Sequence, residues 1–436
     1  MDAVDAGQRP FGIRAEKELD PAAALDLILT SATLLFANGQ TTRTIVAEVK
    51  KLGAGLGVRA NVFARWGELT VRVDDAVGSH DETIAVQPSG VDMNKVVATM
   101  DVIDQAHHGR MDVVAARSAL GAINRFPPVP LARFALMAGA GAAALGVIFG
   151  ASHLPSLVLI ALSAGVGACL RRWLAAKSRN LFVQPFCAAF LAGIVGAIAV
   201  RLQLSSVLRL VAVCPCMVLV PGPHLLNGAL DLARARIVLG TARISYASLV
   251  ILMICAGLVL GLAWGGVSLP ASASSPTVPL WYDVPAAGVA VAAYGTFFNM
   301  PWRMLPIPIL VGMLAHACRW VAIAVAGASA EIGVLTACFV VGTIMTPIAN
   351  RLRLPFAGVA FASVVSLIPG VFLFRMAAGM VELVTRDQQI PQELFVQVAA
   401  DGMTALLIVL AMAFGLILPK MCIDHFTQSP PPATDK

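Results

Sequence analysis

Charge is what this sequence has least of. Only 13% of its 436 residues are Asp, Glu, Lys or Arg, against 58% that are hydrophobic. The mean hydropathy is +0.81. Soluble domains carry about 25% charged residues, so a water-soluble fold is excluded. A disulfide framework is missing as well. Cys169, Cys187, Cys214, Cys216, Cys255, Cys318 and Cys338 lie in or beside apolar runs, and Cys422 follows the last one. They read as small packing residues in a membrane. Cys214-Pro215-Cys216 has no second thiol pair or histidine pair near it in sequence, so no metal site and no cofactor are expected. The apolar runs show neither paired acids nor a nucleophile beside a base, and no phosphate loop precedes them, so the chain is not expected to be an enzyme. No cleavable leader is expected, because the first 20 residues are polar and charged and the first apolar run begins near Leu131. The net charge of +6 fits loop lysines and arginines facing an anionic leaflet better than a nucleic-acid surface.

What is present is a series of uncharged runs at or near the 18-residue threshold for crossing a bilayer. The expected fold is a polytopic α-helical membrane protein of about ten spans, at 131–150, 154–170, 181–200, 205–221, 244–264, 283–300, 304–318, 332–348, 354–373 and 401–419. Before them lies an expected cytoplasmic α/β domain, residues 21–130. Helical patterns cover Pro21 to Phe36 and Thr41 to Leu56, residues 60 to 88 alternate as short antiparallel strands, and helical spacing returns from Asp92 to Ile123 with a break near Gly109. The remaining divisions are a disordered tail (1–20), a first five-span half (131–264), an external linker (265–282), a second five-span half (283–420) and a C-terminal tail (421–436). Eleven Lys and Arg residues, Arg171 and Arg243 among them, fall in the loops placed inside, against five outside. That bias predicts both termini on the cytoplasmic side.

The polar positions centre on two Pro-Gly pairs. Cys214 to Val220 ends at Pro221-Gly222-Pro223, and Val365 to Ile368 ends at Pro369-Gly370. The two prolines are 148 residues apart, and a polar side chain follows each by six positions: Asn227 and Arg375. Other echoes share that offset within a few residues: Leu154-Pro155 with Leu305-Pro306, and Cys169-Leu170-Arg171-Arg172-Trp173 with Cys318-Arg319-Trp320. A unit of five spans is odd, so its second copy crosses the membrane inverted. Inverted repeats with broken helices at matching places are the architecture of alternating-access carriers. Duplicated helices would also serve a channel or a scaffold.

At these residues the sequence resembles the threonine/serine exporter family, over nearly the whole chain and in its fused two-half form. Gly39-Gln40-Thr41-Thr42-Arg43, Pro221-Gly222 with Asn227 and Asp231, and Pro369-Gly370 with Arg375 carry the resemblance. Leu232 to Arg236 departs from the family pattern. The resemblance implies export of threonine and serine coupled to the proton gradient across a bacterial inner membrane. Expected partners are the small-molecule substrate, protons and the lipid bilayer, with self-association into a homo-oligomer left open. The expected substrate-binding residues are Asn227, Asp231, Arg375, Pro221, Gly222, Pro369 and Gly370. Arg375 suits a carboxylate. Asp231 shares a helix face with Asn227 and suits an ammonium group or the coupling proton, and His224 has the pKa range for proton traffic. A salt bridge from Asp231 to Arg234 or Arg236 is the bland alternative. Asp401 is expected to open the tenth span as a helix N-terminal acid. Two rivals stand beside the exporter: a dicarboxylate carrier on the same scaffold, which needs more than one cation at its site, and a non-transport sensory or structural membrane protein.

Overall fold

The computed structural model describes residues 21–75, 78–202, 208–267, 278–385 and 392–427. The expected tail 1–20, most of the external linker and the last nine residues lie outside them.

The chain opens with an amino-terminal module of four helices and one sheet: α1 (Pro21–Ala37), α2 (Thr42–Gly55), α3 (Met93–His107) and α4 (Val113–Asn124), with β1 (Arg59–Arg65), β2 (Gly67–Asp74) and β3 (Ser79–Val86) between α2 and α3. The strands form an antiparallel meander in the order β1-β2-β3. Leu69, Val71 and Val73 alternate inward along β2 and are fully buried, the period-2 pattern of a sheet with one covered face. That face packs on α1, which also touches α2, α3 and α4. α1 is apolar all round yet has only 17 residues. Neighbours bury most of it, and it forms the centre of this module's own core. Short polar caps start the other helices: the side chains of Thr41, Asp92 and Asp112 accept the amide protons of Thr44, Lys95 and Ala115.

Twelve helices follow: α5 (Leu131–Ile148), α6 (Leu154–Lys177), α7 (Val183–Arg201), α8 (Leu208–Met217), α9 (Gly222–Ala233), α10 (Ile237–Trp264), α11 (Leu280–Phe297), α12 (Pro306–Trp320), α13 (Ala330–Leu352), α14 (Phe356–Val364), α15 (Gly370–Thr385) and α16 (Gln392–Thr427). Among the described residues seven helices are long and apolar enough to cross a membrane, and nine crossings result if each of two bent pairs counts as one. The chain is therefore a multi-pass membrane protein. α11 adds 18 residues, but its Trp281-Tyr282-Asp283 opening makes it more polar than the rest.

The bent pairs fall on the two Pro-Gly sites. α8 and α9 meet at 54°, and α14 with its 3₁₀ turn meets α15 at 66°. Proline disfavours helical backbone in the residue before it, and Ile368 is accordingly extended, at ψ 136°. Helix resumes at once after each break. The apolar runs expected to close at Pro-Gly instead continue, bent, as α9 and α15.

The same element pairs pack in both halves: α5 on α6 as α11 on α12, α7 on α10 as α13 on α16, and α9 on α10 as α15 on α16. α5 lies against α11 where the halves meet. Small residues set these distances. A Cβ on Gly257 or Gly261 of α10 would collide with the Phe186 and Phe190 carbonyls of α7, the close helix approach that glycine permits in lipid. The two breaks also pack reciprocally. Gly222 sits under the Phe361 ring of α14, and Gly370 sits against the Met217 side chain of α8.

Candidate functional site at the first helix break

Where α8 gives way to α9, the chain skirts a cavity of about 290 Å³. Small-molecule pockets run from about 300 to 1,000 Å³, so this one suits a small occupant. Val218 to Pro221 and Pro223-His224 form one wall, Arg171 of α6 and Gln184 of α7 a second, and Tyr246 of α10 a third. Tyr294 and Phe297 of α11 and Phe134 of α5 supply aromatic faces, and Ser89-Gly90-Val91 of the amino-terminal module closes the remaining side.

Arg171 is the one arginine, lysine or carboxylate-class charge in that lining. Its Nε is buried and meets no hydrogen-bond acceptor. Its neighbour Arg172 is engaged elsewhere: Nη2 donates to the Val129 carbonyl at 2.7 Å and the guanidinium lies over the Phe134 ring. A buried Nε–H without an acceptor is costly, and a bound carboxylate would satisfy it. The Tyr294 hydroxyl donates to the Met217 carbonyl at 2.7 Å, pinning the last turn of α8 to α11. His224 Nε2 donates to the Ser89 carbonyl at 3.2 Å, which leaves Nδ1 buried without a partner.

The expected site residues divide between this cavity and other places. Pro221 and His224 line it. Asn227 and Asp231 share the His224 face of α9, but the amino-terminal module occupies them. Asn227 Nδ2 donates to the Gly39 carbonyl at 3.1 Å, and the Thr42 hydroxyl donates to Asp231 at 3.0 Å. Asp231 also lies 3.4 Å from Arg236 and 3.2 Å from Arg243. Arg234 instead reaches Asp424, which Arg43 and Lys420 share. Arg375 stands apart from all of these, ion-paired to Asp401 at 3.0 Å. Asp401 does not open its span, because α16 begins nine residues earlier at Gln392. The charge expected at a helix N-terminus is thus the counter-ion of Arg375.

Arg171 and Arg243, counted as loop charges, belong to helices. Arg171 lies within α6, which runs on to Lys177, and Arg243 lies within α10 with 0% exposure. Charge counting along a sequence cannot separate a loop arginine from one in the end turns of a long helix. The sequence did carry one signal for Arg171, its echo in Arg319 one repeat later.

A second polar group was also missed. Asp283 of α11, His316 of α12 and Ser366 beside the second break form a hydrogen-bonded chain, with His316 Nδ1 3.0 Å from Asp283 and Nε2 2.5 Å from Ser366. The expectation that the spans hold no nucleophile beside a base fails here. The three residues are 33 and 50 positions apart, a separation no local pattern bridges.

Apolar crossings, two of them broken, around a cavity with one unsatisfied cationic donor suit a membrane transporter. The family follows from comparison with known proteins. A threonine/serine exporter family model matches residues 26–265, and a second, described as "Threonine/Serine exporter, ThrE", matches residues 283–422. The chain belongs to the threonine/serine exporter family, with both parts in one polypeptide. No curated protein and no solved structure matches it.

Proposed function

We propose that this protein exports small amino acids of the threonine and serine type, and that the cavity at the first helix break holds the substrate. The observation that carries this reading is Arg171, a cation with an unsatisfied donor in a cavity of about 290 Å³. In this reading the guanidinium binds the substrate carboxylate, and the aromatic faces of Tyr294, Phe297 and Phe134 receive the ammonium group. A dicarboxylate needs a second cation, and Arg172 is already committed to Val129, so the dicarboxylate reading is disfavoured.

The proposed mechanism is alternating access by two inverted five-helix halves, ten passes in all, with both termini inside a bacterial inner membrane. The matching helix pairs of the two halves and the reciprocal packing at the breaks support it. Two ion pairs serve as latches, each joining the half-helix after a break to the last helix of its half: Asp231 with Arg243, and Arg375 with Asp401. Their signs are reversed between the halves. Export is driven by proton entry. The amino-terminal module, whose Ser89 to Val91 segment forms a cavity wall, covers the cytoplasmic mouth.

Uptake of labelled threonine, serine and succinate into inverted vesicles, with and without a proton gradient, tests the reading. Gradient-dependent accumulation of threonine or serine is the expected result. Accumulation of succinate alone would transfer the assignment to the dicarboxylate carrier.

A further inference from the structure

The second helix break carries a buried group that the substrate cavity does not use. His316 is 0% exposed, and Asp283 and Ser366 are each 2% exposed. They come from three separate elements: the first turn of α11, the middle of α12, and the 3₁₀ turn (Val365–Leu367) just before Pro369. An ionised carboxylate only accepts hydrogen bonds, so the bond to Asp283 places a proton on His316 Nδ1. In the neutral ring Nε2 then accepts from the Ser366 hydroxyl. Arg319, one turn beyond His316, lies within electrostatic reach of Asp283, and its Nε is buried without an acceptor. Titratable groups on the other packed elements are few. α11 adds Tyr282 and Tyr294, and α12 adds Cys318. α13 offers Glu331 in its first turn, the buried Cys338 and Arg351 in its last turn; α14 and the π-helical turn (Val321–Val325) offer none, and none of these groups bonds to His316.

We infer that Asp283, His316 and Ser366 form the proton-carrying site of the transporter. This assignment rests on the carrier reading above and locates its coupling step. The charges favour it. With His316 neutral, Asp283 and Arg319 balance, and the group is tolerable in a sealed, low-dielectric site. One added proton on Nε2 leaves the group with one net positive charge, which is stable only where water reaches it. The site therefore loads where water reaches it from one side of the membrane and unloads where water reaches it from the other, and the sealed arrangement seen here is the unprotonated one. Loading also reverses a hydrogen bond at the break. Nε2–H now donates to Ser366 Oγ, and the hydroxyl proton must turn to another acceptor, two residues before the Ile368-Pro369 bend. The proton and the substrate thus act on the two matching breaks, and Gly222 under Phe361 and Gly370 against Met217 connect them.

The Ser-His-Asp order is also that of hydrolases. Transport demands that Ser366 bond rather than attack, so the two uses separate by experiment. In reconstituted full-length protein, His316→Gln is expected to abolish gradient-driven accumulation and leave the residual transport indifferent to pH. Asp283→Asn is expected to move the pH midpoint of transport downward, since the imidazolium loses its counter-charge. Accumulation in His316→Gln with the wild-type pH profile would overturn the assignment. A substrate-independent arm uses nitrogen NMR of ¹⁵N-histidine, with the His316 signal identified by its loss in His316→Gln. Proton uptake by that ring over the same pH range in which transport changes is expected. A ring that stays neutral throughout would overturn the proposal whatever the substrate, as would labelling of Ser366 by a serine-reactive fluorophosphonate. Failure of threonine and serine transport alongside a titrating His316 would count against the substrate and leave the proton site standing.

Discussion

Arg171 shows how much a single side chain can decide. An arginine at a helix end near the membrane surface is ordinary; an arginine whose Nε is buried with no acceptor is not. The guanidinium presents a planar fork that an ammonium cannot copy. Arg171→Gln should lower threonine transport about ten- to hundredfold, the worth of a charge-assisted hydrogen bond. Arg171→Lys should restore only a minor part of it. Rates in reconstituted vesicles read both variants, and a lysine variant equal to wild type would remove Arg171 from the site. Asn227 and Asp231 illustrate the opposite case. Their types and spacing suit a substrate, yet their hydrogen bonds run to Gly39 and Thr42 of the amino-terminal module. Sequence showed that α9 has a polar face but not what covers it.

At the scale of elements, the breaks were legible because proline and glycine act locally. Proline removes a donor and constrains its predecessor, and glycine lets another helix approach. What lay beyond reach was the resumption of helix after each break, because that depends on neighbours burying α9 and α15. The two glycines should differ in their tolerance of a methyl group. A Cβ on Gly222 would fall within the Phe361 ring, which is 4% exposed and packed beside Tyr294 and Phe298. A Cβ on Gly370 would meet only the flexible Met217 side chain. Gly222→Ala should cost about 1–3 kcal/mol, the usual penalty of overpacking, and Gly370→Ala less. Thermal melting of the two purified variants orders them, and a more stable Gly222→Ala protein would refute the packing argument.

At the scale of the whole molecule, the amino-terminal module is docked as part of the transporter and is not simply tethered to it. Met93 N–H donates to the Phe298 carbonyl at 2.8 Å, Asn299 donates to Asp92 at 3.0 Å, and Asp104 of α3 pairs with Arg353 beside α14 at 2.9 Å. The Lys51 ammonium, hydrogen-bonded to Asp104, holds its carboxyl well below the usual carboxylate range, and Arg353 adds to the effect. A lowered carboxyl pKa contributes stability above the ordinary value of about 3.9, and that contribution disappears as pH falls through the lowered one. Docking through Asp104 should therefore hold steady from about pH 5 to 8 and weaken only in stronger acid. Asp104→Asn should loosen it at neutral pH, with hydrogen exchange in α3 faster by about two- to fivefold, as suits a partly exposed ion pair. Unchanged exchange in that variant would show that Met93 and Asn299 suffice.

By itself the sequence determined what depends on composition and local chemistry. Scarce charge and long apolar runs require a membrane, alternation at 60–88 requires strands, and Pro-Gly at two places 148 residues apart requires two breaks. Only the tertiary structure decided which polar groups meet. It gave Arg171 a cavity, bound Asn227 and Asp231 to the amino-terminal module, paired Arg375 with Asp401, and joined Asp283, His316 and Ser366. The physical reason is range. Propensity and hydropathy act over a few residues, whereas the energy of a buried polar group depends on whichever distant segment supplies its hydrogen-bond partner.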